Sequence, residues 1–233
     1  MQKLLKNYFD FTNKNVVILG GSKGIGLTIT KELINLGATV IIVSRTKPNL
    51  NVVFYKCDFE NLQEVKEVVK KIKKDYKKNW SIVNALAITI PSNEKIQLPE
   101  IFEKIINVNL VNHYYFISGM VSTVEVGGSI LNISSIYGDL AFPGNPSYSS
   151  SKSGLNGLTR SLSYDLSKKK IRVNSLSAGY IKSNMTKKSY NNKIKRKKIS
   201  GHTLLGRWGN SIEVALPAIF LISNASSYIN GQN

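Results

Sequence analysis

Tyr148 and Lys152 stand four residues apart in Tyr148-Ser149-Ser150-Ser151-Lys152, thirteen residues after Ser135. On a helix, positions i and i+4 share a face, so the phenol and the ammonium are expected to enter one pocket. A free tyrosine hydroxyl titrates near pH 10, roughly three units too high for proton exchange at neutral pH. A fixed positive charge a few ångströms away favours the phenolate and lowers that value. The spacing therefore reads as a proton-transfer device, with an ordinary solvated Tyr–Lys pair as the alternative.

A second motif lies far upstream. Gly20-Gly21-Ser22-Lys23-Gly24-Ile25-Gly26 follows directly on the apolar run Val16-Val17-Ile18-Leu19, and helical periodicity runs from Leu27 to Leu36 before Gly37. Strand, glycine turn and helix form the context that makes a glycine motif a dinucleotide site. Glycines let the chain turn sharply and let a pyrophosphate reach the amides at the helix N-terminus. Gly20, Ser22, Lys23, Gly24, Ile25 and Gly26 are the expected contacts. The spacing is G-x-x-x-G-x-G rather than the common G-x-G-x-x-G, and a plain tight βα turn is the alternative.

Taken together, the order and spacing of these motifs resemble the short-chain dehydrogenase/reductase family, single-domain branch, from about residue 14 to the last residue. The family pattern of an acidic residue, an Asn, a Ser and the Tyr-x-x-x-Lys pair is met by Asp58, Asn109, Ser135, Tyr148 and Lys152. The run Arg172-Val173-Asn174-Ser175-Leu176-Ser177-Ala178-Gly179-Tyr180-Ile181 is similar to the segment that covers the nicotinamide. The resemblance implies one NAD(P)-binding Rossmann domain over residues 1–233, with a substrate loop at about 183–210. It implies carbonyl reduction with Tyr148 as general acid, Lys152 also holding the nicotinamide ribose, and Ser135 donating to the substrate oxygen. Asn109 is then expected to hold a water that relays protons to the lysine, with a solvated polar helix residue as the alternative. Asp58 is expected beside the adenine, Asn84 beside the adenosine, and Gly179, Ile181 and Ser183 at the carboxamide and phosphate. Three positions depart from the pattern: Ala85 stands for a second Asn, Ala87 for a Gly and Ala178 for a Pro.

Around these motifs, apolar runs and helical periodicities alternate. Strands are expected at 16–19, 39–44, 52–56, 81–86, 129–134 and 172–177, and helices at 25–36, 62–78, 99–121, 148–167 and 211–223. Such alternation implies an α/β fold: a doubly wound parallel sheet in three layers, α/β/α. Ligands in such sheets bind beyond strand C-termini where the strand order reverses, and Gly20, Asp58, Ser135 and Gly179 all fall at or past those termini. The short link from Ser44 to Val52 leaves at most a turn between the second and third strands. The sequence stops at Gly231-Gln232-Asn233, where relatives continue into a final edge strand; either the protein is truncated or its tail lies outside this sequence, and the resemblance then leaves open the tetramer interface that strand commonly helps build.

Composition narrows the classes. At 233 residues with 42% hydrophobic content, the chain suits one soluble α/β domain. One cysteine, Cys57, excludes an internal disulfide and reads as a buried small side chain. Residues 1–14 lack the apolar stretch of a secretion signal and no run reaches membrane-span length, so a cytoplasmic protein is expected. His113 and His202 are isolated, and no metal site is expected. The formal net charge is +18, yet only five of the 32 basic residues are arginine and no nucleic-acid motif appears. Nucleic-acid binding is therefore not expected.

Cofactor choice is read at the end of the second strand. Val43-Ser44-Arg45-Thr46 carries no carboxylate to accept from a ribose 2′-hydroxyl, and Arg45 with Lys23 suits a 2′-phosphate, so NADPH/NADP+ is expected. Both cations could instead be solvated surface charges. Seven of the twelve residues at 187–198 are cationic, which suits an anionic substrate or carrier or is simply a solvated run. The expected substrate is a small or carrier-bound carbonyl compound, foremost an oxoacyl group on an acidic acyl carrier protein, with sugar or polysaccharide-precursor ketones close behind. A non-catalytic NADP-binding or scaffold protein is the alternative from another class. A homodimer or homotetramer is expected.

Overall fold

The computed structural model describes residues 7–92, 96–140 and 142–233. Residues 1–6, part of the stretch read above for a leader, lie outside these.

Six strands form one parallel sheet: β1 (Asn15–Leu19), β2 (Thr39–Ser44), β3 (Val53–Lys56), β4 (Asn79–Asn84), β5 (Val124–Ser135) and β6 (Arg172–Ala178), in the order β3-β2-β1-β4-β5-β6. Side chains alternate across a strand. Val17 and Leu19 of β1 therefore join one core, with Val65, Val68 and Ile72 of α2 (Leu62–Asp75) and Phe116, Ile117 and Met120 of α4 (Asn112–Met120). Val16 and Ile18 join the other, with Ile29 and Leu33 of α1 (Gly24–Asn35) and Ala215, Ala218 and Ile222 of α8 (Ile212–Ile222). This is the expected three-layer arrangement. Each fully buried Val, Leu or Ile contributes about 1.5–3 kcal/mol. Strand order reverses between β1 and β4, so a crevice opens where their C-terminal ends diverge.

The boundaries differ from expectation at informative places. The link between β2 and β3 holds no helix. β4 ends at Asn84 rather than continuing to Leu86, because the backbone from Ala85 to Ser92 leaves the sheet to wall the crevice. The helix expected at 99–121 is α3 (Pro99–Ile106), one π-helical stretch (Asn107–Val111) and α4. Two short helices, α6 (Lys187–Asn191) and α7 (Lys193–Gly201), occupy the segment read as a loop. Their sequence carries no apolar stripe, and periodicity cannot reveal a helix that lacks one.

The sheet has six strands among the described residues, but the outer edge of β6 is not bare. Gly231 N donates to Val173 O and Ser175 N to Gln232 O, both at 2.8 Å. Asn230 Oδ1 accepts from Val173 N at 2.8 Å.

Candidate active site

The crevice at the β1/β4 divergence is a cleft of about 960 Å³. Thirteen expected site residues line it: Gly20, Ser22, Lys23, Gly24 and Ile25 of the glycine turn, Arg45, Asp58, Ser135, Tyr148, Lys152, Gly179, Ile181 and Ser183. Gly26, Asn84 and Asn109 do not line it.

The glycine turn is built as its spacing implied. Gly20 has φ +77° and Gly24 φ +55°, which a side chain would strain. A Cβ on Gly26 would lie 2.3 Å from the Gly20 carbonyl oxygen, so Gly26 serves the close packing of helix on turn rather than contact with a ligand. No side chain caps the N-terminus of α1, whose cap position is Lys23. Its free amides and positive dipole end face the cleft, a ready cradle for a phosphate. Ser22 Oγ lies 3.0 Å from Ser44 Oγ, tying the turn to the end of β2. There the exposed Arg45 and Lys23 are free of ion pairs, the described residues containing only Lys104–Glu60 and Arg207–Glu213. Asp58 Oδ1 accepts from Glu60 N at 3.0 Å, which fixes the carboxylate at the end of β3. Across the cleft, Ser183 approaches the turn at Gly24.

Tyr148 and Lys152 lie on α5 (Pro146–Asp165), with Pro146 at its start, where a missing N–H costs nothing. Ser135, the last residue of β5, accepts from Tyr137 N at 3.3 Å and lines the cleft together with Tyr148. Lys152 is 2% exposed and donates to Ile133 O at 2.8 Å. Burial lowers its pKa to about 8. The phenol departs from expectation: burial holds Tyr148 above the ordinary tyrosine value, while the Ser135 hydroxyl pulls the other way. In this arrangement the lysine is held by the strand, and desolvation of the ring is the stronger effect.

Asn109 sits in the π-helical stretch and is fully buried. Its Oδ1 accepts from Ile88 N at 2.8 Å, and its Nδ2 donates to Ile88 O at 2.9 Å and to Ser151 Oγ at 3.2 Å. The side chain is therefore a clamp joining the cleft wall to the turn of α5 that carries Tyr148. It is buried and not solvated. Asn84 is likewise buried: its amide nitrogen lies 2.8 Å from His113 Nδ1 and donates to Asn132 at 3.3 Å, which puts the side chain in the core behind the cleft. His113, read as isolated, is fully buried and meets the Phe59 ring edge-on at 5.4 Å. Burial, then the Lys152 charge, lowers its pKa to about 3, so the imidazole is neutral. Cys57 is fully buried, and burial pushes its thiol up to about 12, leaving it inert.

Sequence reading missed an aromatic wall. Tyr137 meets Tyr148 edge-on with ring centres 5.4 Å apart and stacks on Phe142 at 3.9 Å. Phe142 in turn meets the Tyr180 ring at 6.3 Å, and that ring lies 5.4 Å from Trp208. Trp208, read as a packing residue, is 2% exposed and also lines the cleft. Chemically, the cleft offers a phosphate cradle at one end. At the other it offers a buried ammonium and a phenol–hydroxyl pair beside an aromatic surface.

Known proteins carry the same arrangement of sequence. Residues 20–233 match the family model described as enoyl-(acyl carrier protein) reductase. The chain is 34% identical to the 3-oxoacyl-[acyl-carrier-protein] reductase FabG of Rickettsia typhi, over 96% of this chain and 95% of that one. It is 32% identical to the protein of that name from Thermotoga maritima, over 94% of each. Among solved structures, a short chain dehydrogenase family protein from Francisella tularensis superposes with TM-score 0.88 at 28% identity, over 94% of this chain and 95% of that one. The aldohexose dehydrogenase of Thermoplasma acidophilum superposes with TM-score 0.90 at 26% identity, over 97% and 92%. Matched from its glycine turn to its last residue, and by relatives covered almost end to end, the chain belongs to the short-chain dehydrogenase/reductase family.

Proposed function

We propose that the chain is an NADPH-dependent reductase of 3-oxoacyl groups borne on an acyl carrier protein, the activity named for its relatives from Rickettsia typhi and Thermotoga maritima. The observation that carries it is the gathering of Ser135, Tyr148 and buried Lys152 in the same cleft as the uncapped N-terminus of α1. Residues 1–233 act as one dinucleotide-binding unit, with 183–210 over the substrate.

The residues fit the dinucleotide. The α1 amides and Ser22 would hold the pyrophosphate, with Gly20 and Gly24 giving backbone access. Arg45 and Lys23 would take a 2′-phosphate, Asp58 the adenine side, Lys152 the ribose, and Ile181 and Ser183 the carboxamide end. When bound, the reduced nicotinamide supplies a hydride to the carbonyl carbon. Tyr148 donates the proton that the carbonyl oxygen needs, and Ser135 holds that oxygen by a hydrogen bond as its charge grows. Lys152, positive below about pH 8, favours the phenolate left behind. Asn109 keeps wall and helix in register, and the aromatic surface excludes water. A cytoplasmic homodimer or homotetramer completes the reading; no described helix is long and apolar enough to cross a membrane.

Reduction of a sugar ketone is a second reading, supported by the likeness to the aldohexose dehydrogenase. NADPH oxidation followed against acetoacetyl thioesters and a panel of keto-sugars tests both. Turnover of thioesters alone supports the first, and turnover of sugars alone overturns it.

A further inference from the structure

A second cavity, of about 600 Å³, opens on the outer side of α7. Its walls include Lys182, Tyr190, Lys193, Arg196, Lys197 and Trp208. α7 is thus a partition. Lys195 and Ile199, four apart on one face, look into the main cleft, while Lys193, Arg196 and Lys197 look into the outer cavity. None of these three cations is in an ion pair among the described residues, whereas Arg207 at the rim is tied to Glu213 at 2.6 Å. Two of the cavity's cations also rest against an aromatic ring. Lys182 and Arg196 sit 5.1 and 5.3 Å from the centre of the Tyr190 ring, and Trp208 Nε1 donates to Arg196 O at 3.4 Å.

Trp208 lines both cavities and links them. From the catalytic phenol, rings follow one another outward: Tyr137, then Phe142 at 3.9 Å, then Tyr180 at 6.3 Å, then Trp208 at 5.4 Å, then Tyr190 at 5.5 Å. A substrate lying along this wall has its carbonyl at Tyr148 and its far end among unpaired cations. We propose that the outer cavity is an anchoring subsite for a phosphate carried on the arm of the substrate, remote from the carbonyl. The inference rests on the carbonyl-reductase reading and adds to it a recognised group. A phosphate fits because arginine can hold it by two parallel hydrogen bonds while lysines add charge. Such a phosphate can belong to the pantetheine arm itself or to the nucleotide portion of a soluble coenzyme A thioester.

The test compares acetoacetyl-coenzyme A, acetoacetyl-phosphopantetheine and the phosphate-free acetoacetyl-N-acetylcysteamine on the wild type and on Arg196→Glu and Lys193→Glu, each made separately. Expected is a KM about tenfold higher for the phosphate-bearing substrates, the loss of one charge-assisted contact. The N-acetylcysteamine thioester should keep its KM and kcat. A rise for both phosphate substrates locates the anchor on the arm. A rise for acetoacetyl-coenzyme A alone locates it on the nucleotide. Equal changes for all three substrates, or none, overturn the subsite while leaving the reductase reading intact. If no thioester is turned over, the reductase reading fails. Calorimetric binding of phosphopantetheine then decides the subsite: loss in Arg196→Glu supports it, and retention, or no binding to the wild type, overturns it.

Discussion

The Lys152 ammonium lies 5.6 Å from the centre of the Tyr148 ring and is anchored by Ile133 O, two residues before Ser135 on the same strand. One strand end and one helical turn thus fix the cation, the hydroxyl and the phenol together. No mobile segment is needed to assemble them.

With Tyr148 as the proposed proton donor, Tyr148→Phe should lower kcat for thioester reduction by about a hundredfold or more, the usual contribution of a positioned acid. The affinity for NADPH, measured by fluorescence titration, should change little. Retained turnover would remove Tyr148 from the chemistry.

Burial gives Lys152 a folded pKa near 8, below its unfolded value. Its charge in the free enzyme is therefore lost as pH rises through about 8, and kcat/KM for reduction should fall there. Lys152→Arg, which stays charged, should move or abolish that break. A profile flat through this range in the wild type would exclude the lysine as the titrating group.

The same burial has a stability sign. A lysine whose folded pKa is depressed binds fewer protons folded than unfolded between about pH 8 and pH 10.5, so stability rises with pH across that window. Below it the penalty of a buried charge persists in full. Lys152→Met should raise Tm at pH 7 by about 2–4 °C, roughly 1 kcal/mol for a chain of this size, while ending activity. Calorimetry showing a lower Tm would mean that the Ile133 hydrogen bond outweighs desolvation.

Asn109→Ala removes both partners of the Ile88 peptide and one of Ser151. Leaving those groups unsatisfied should cost about 2 kcal/mol or more, visible in the urea midpoint. With the wall from Ala85 to Ser92 loosened, the KM for NADPH should rise. An unchanged urea midpoint would argue against the clamp.

Arg45→Asp should weaken NADPH by about tenfold or more and leave NADH nearly unaffected. Equal losses for both would mean that the guanidinium does not read the phosphate.

Much of the site could be read from the sequence because its signals are local. The glycine turn, Ser135 and the Tyr148–Lys152 spacing each state a backbone geometry within a few residues, and the cleft gathers them all. What could not be read depends on distant partners. Asn84 and His113, 29 residues apart, reveal their pairing only in the fold. Tyr137, Tyr180 and Trp208 look like scattered aromatics until the sheet brings them into line. The π-helical stretch at Asn107–Val111 escaped because one wide turn hardly disturbs a helical apolar pattern. The elevated phenol escaped because spacing reveals a neighbouring charge but not the depth of burial that opposes it.

The contact between Gly26 and the Gly20 carbonyl sets how this pocket can drift over evolutionary time. Any side chain at Gly26 would pry the helix off the turn, so that part of the cradle is frozen by sterics. Arg45, exposed at the other end, can be exchanged without touching the core. On the proposed reading, preference between dinucleotides would change through single surface replacements such as at Arg45, while the close-packed turn that would hold the pyrophosphate tolerates no such exchange.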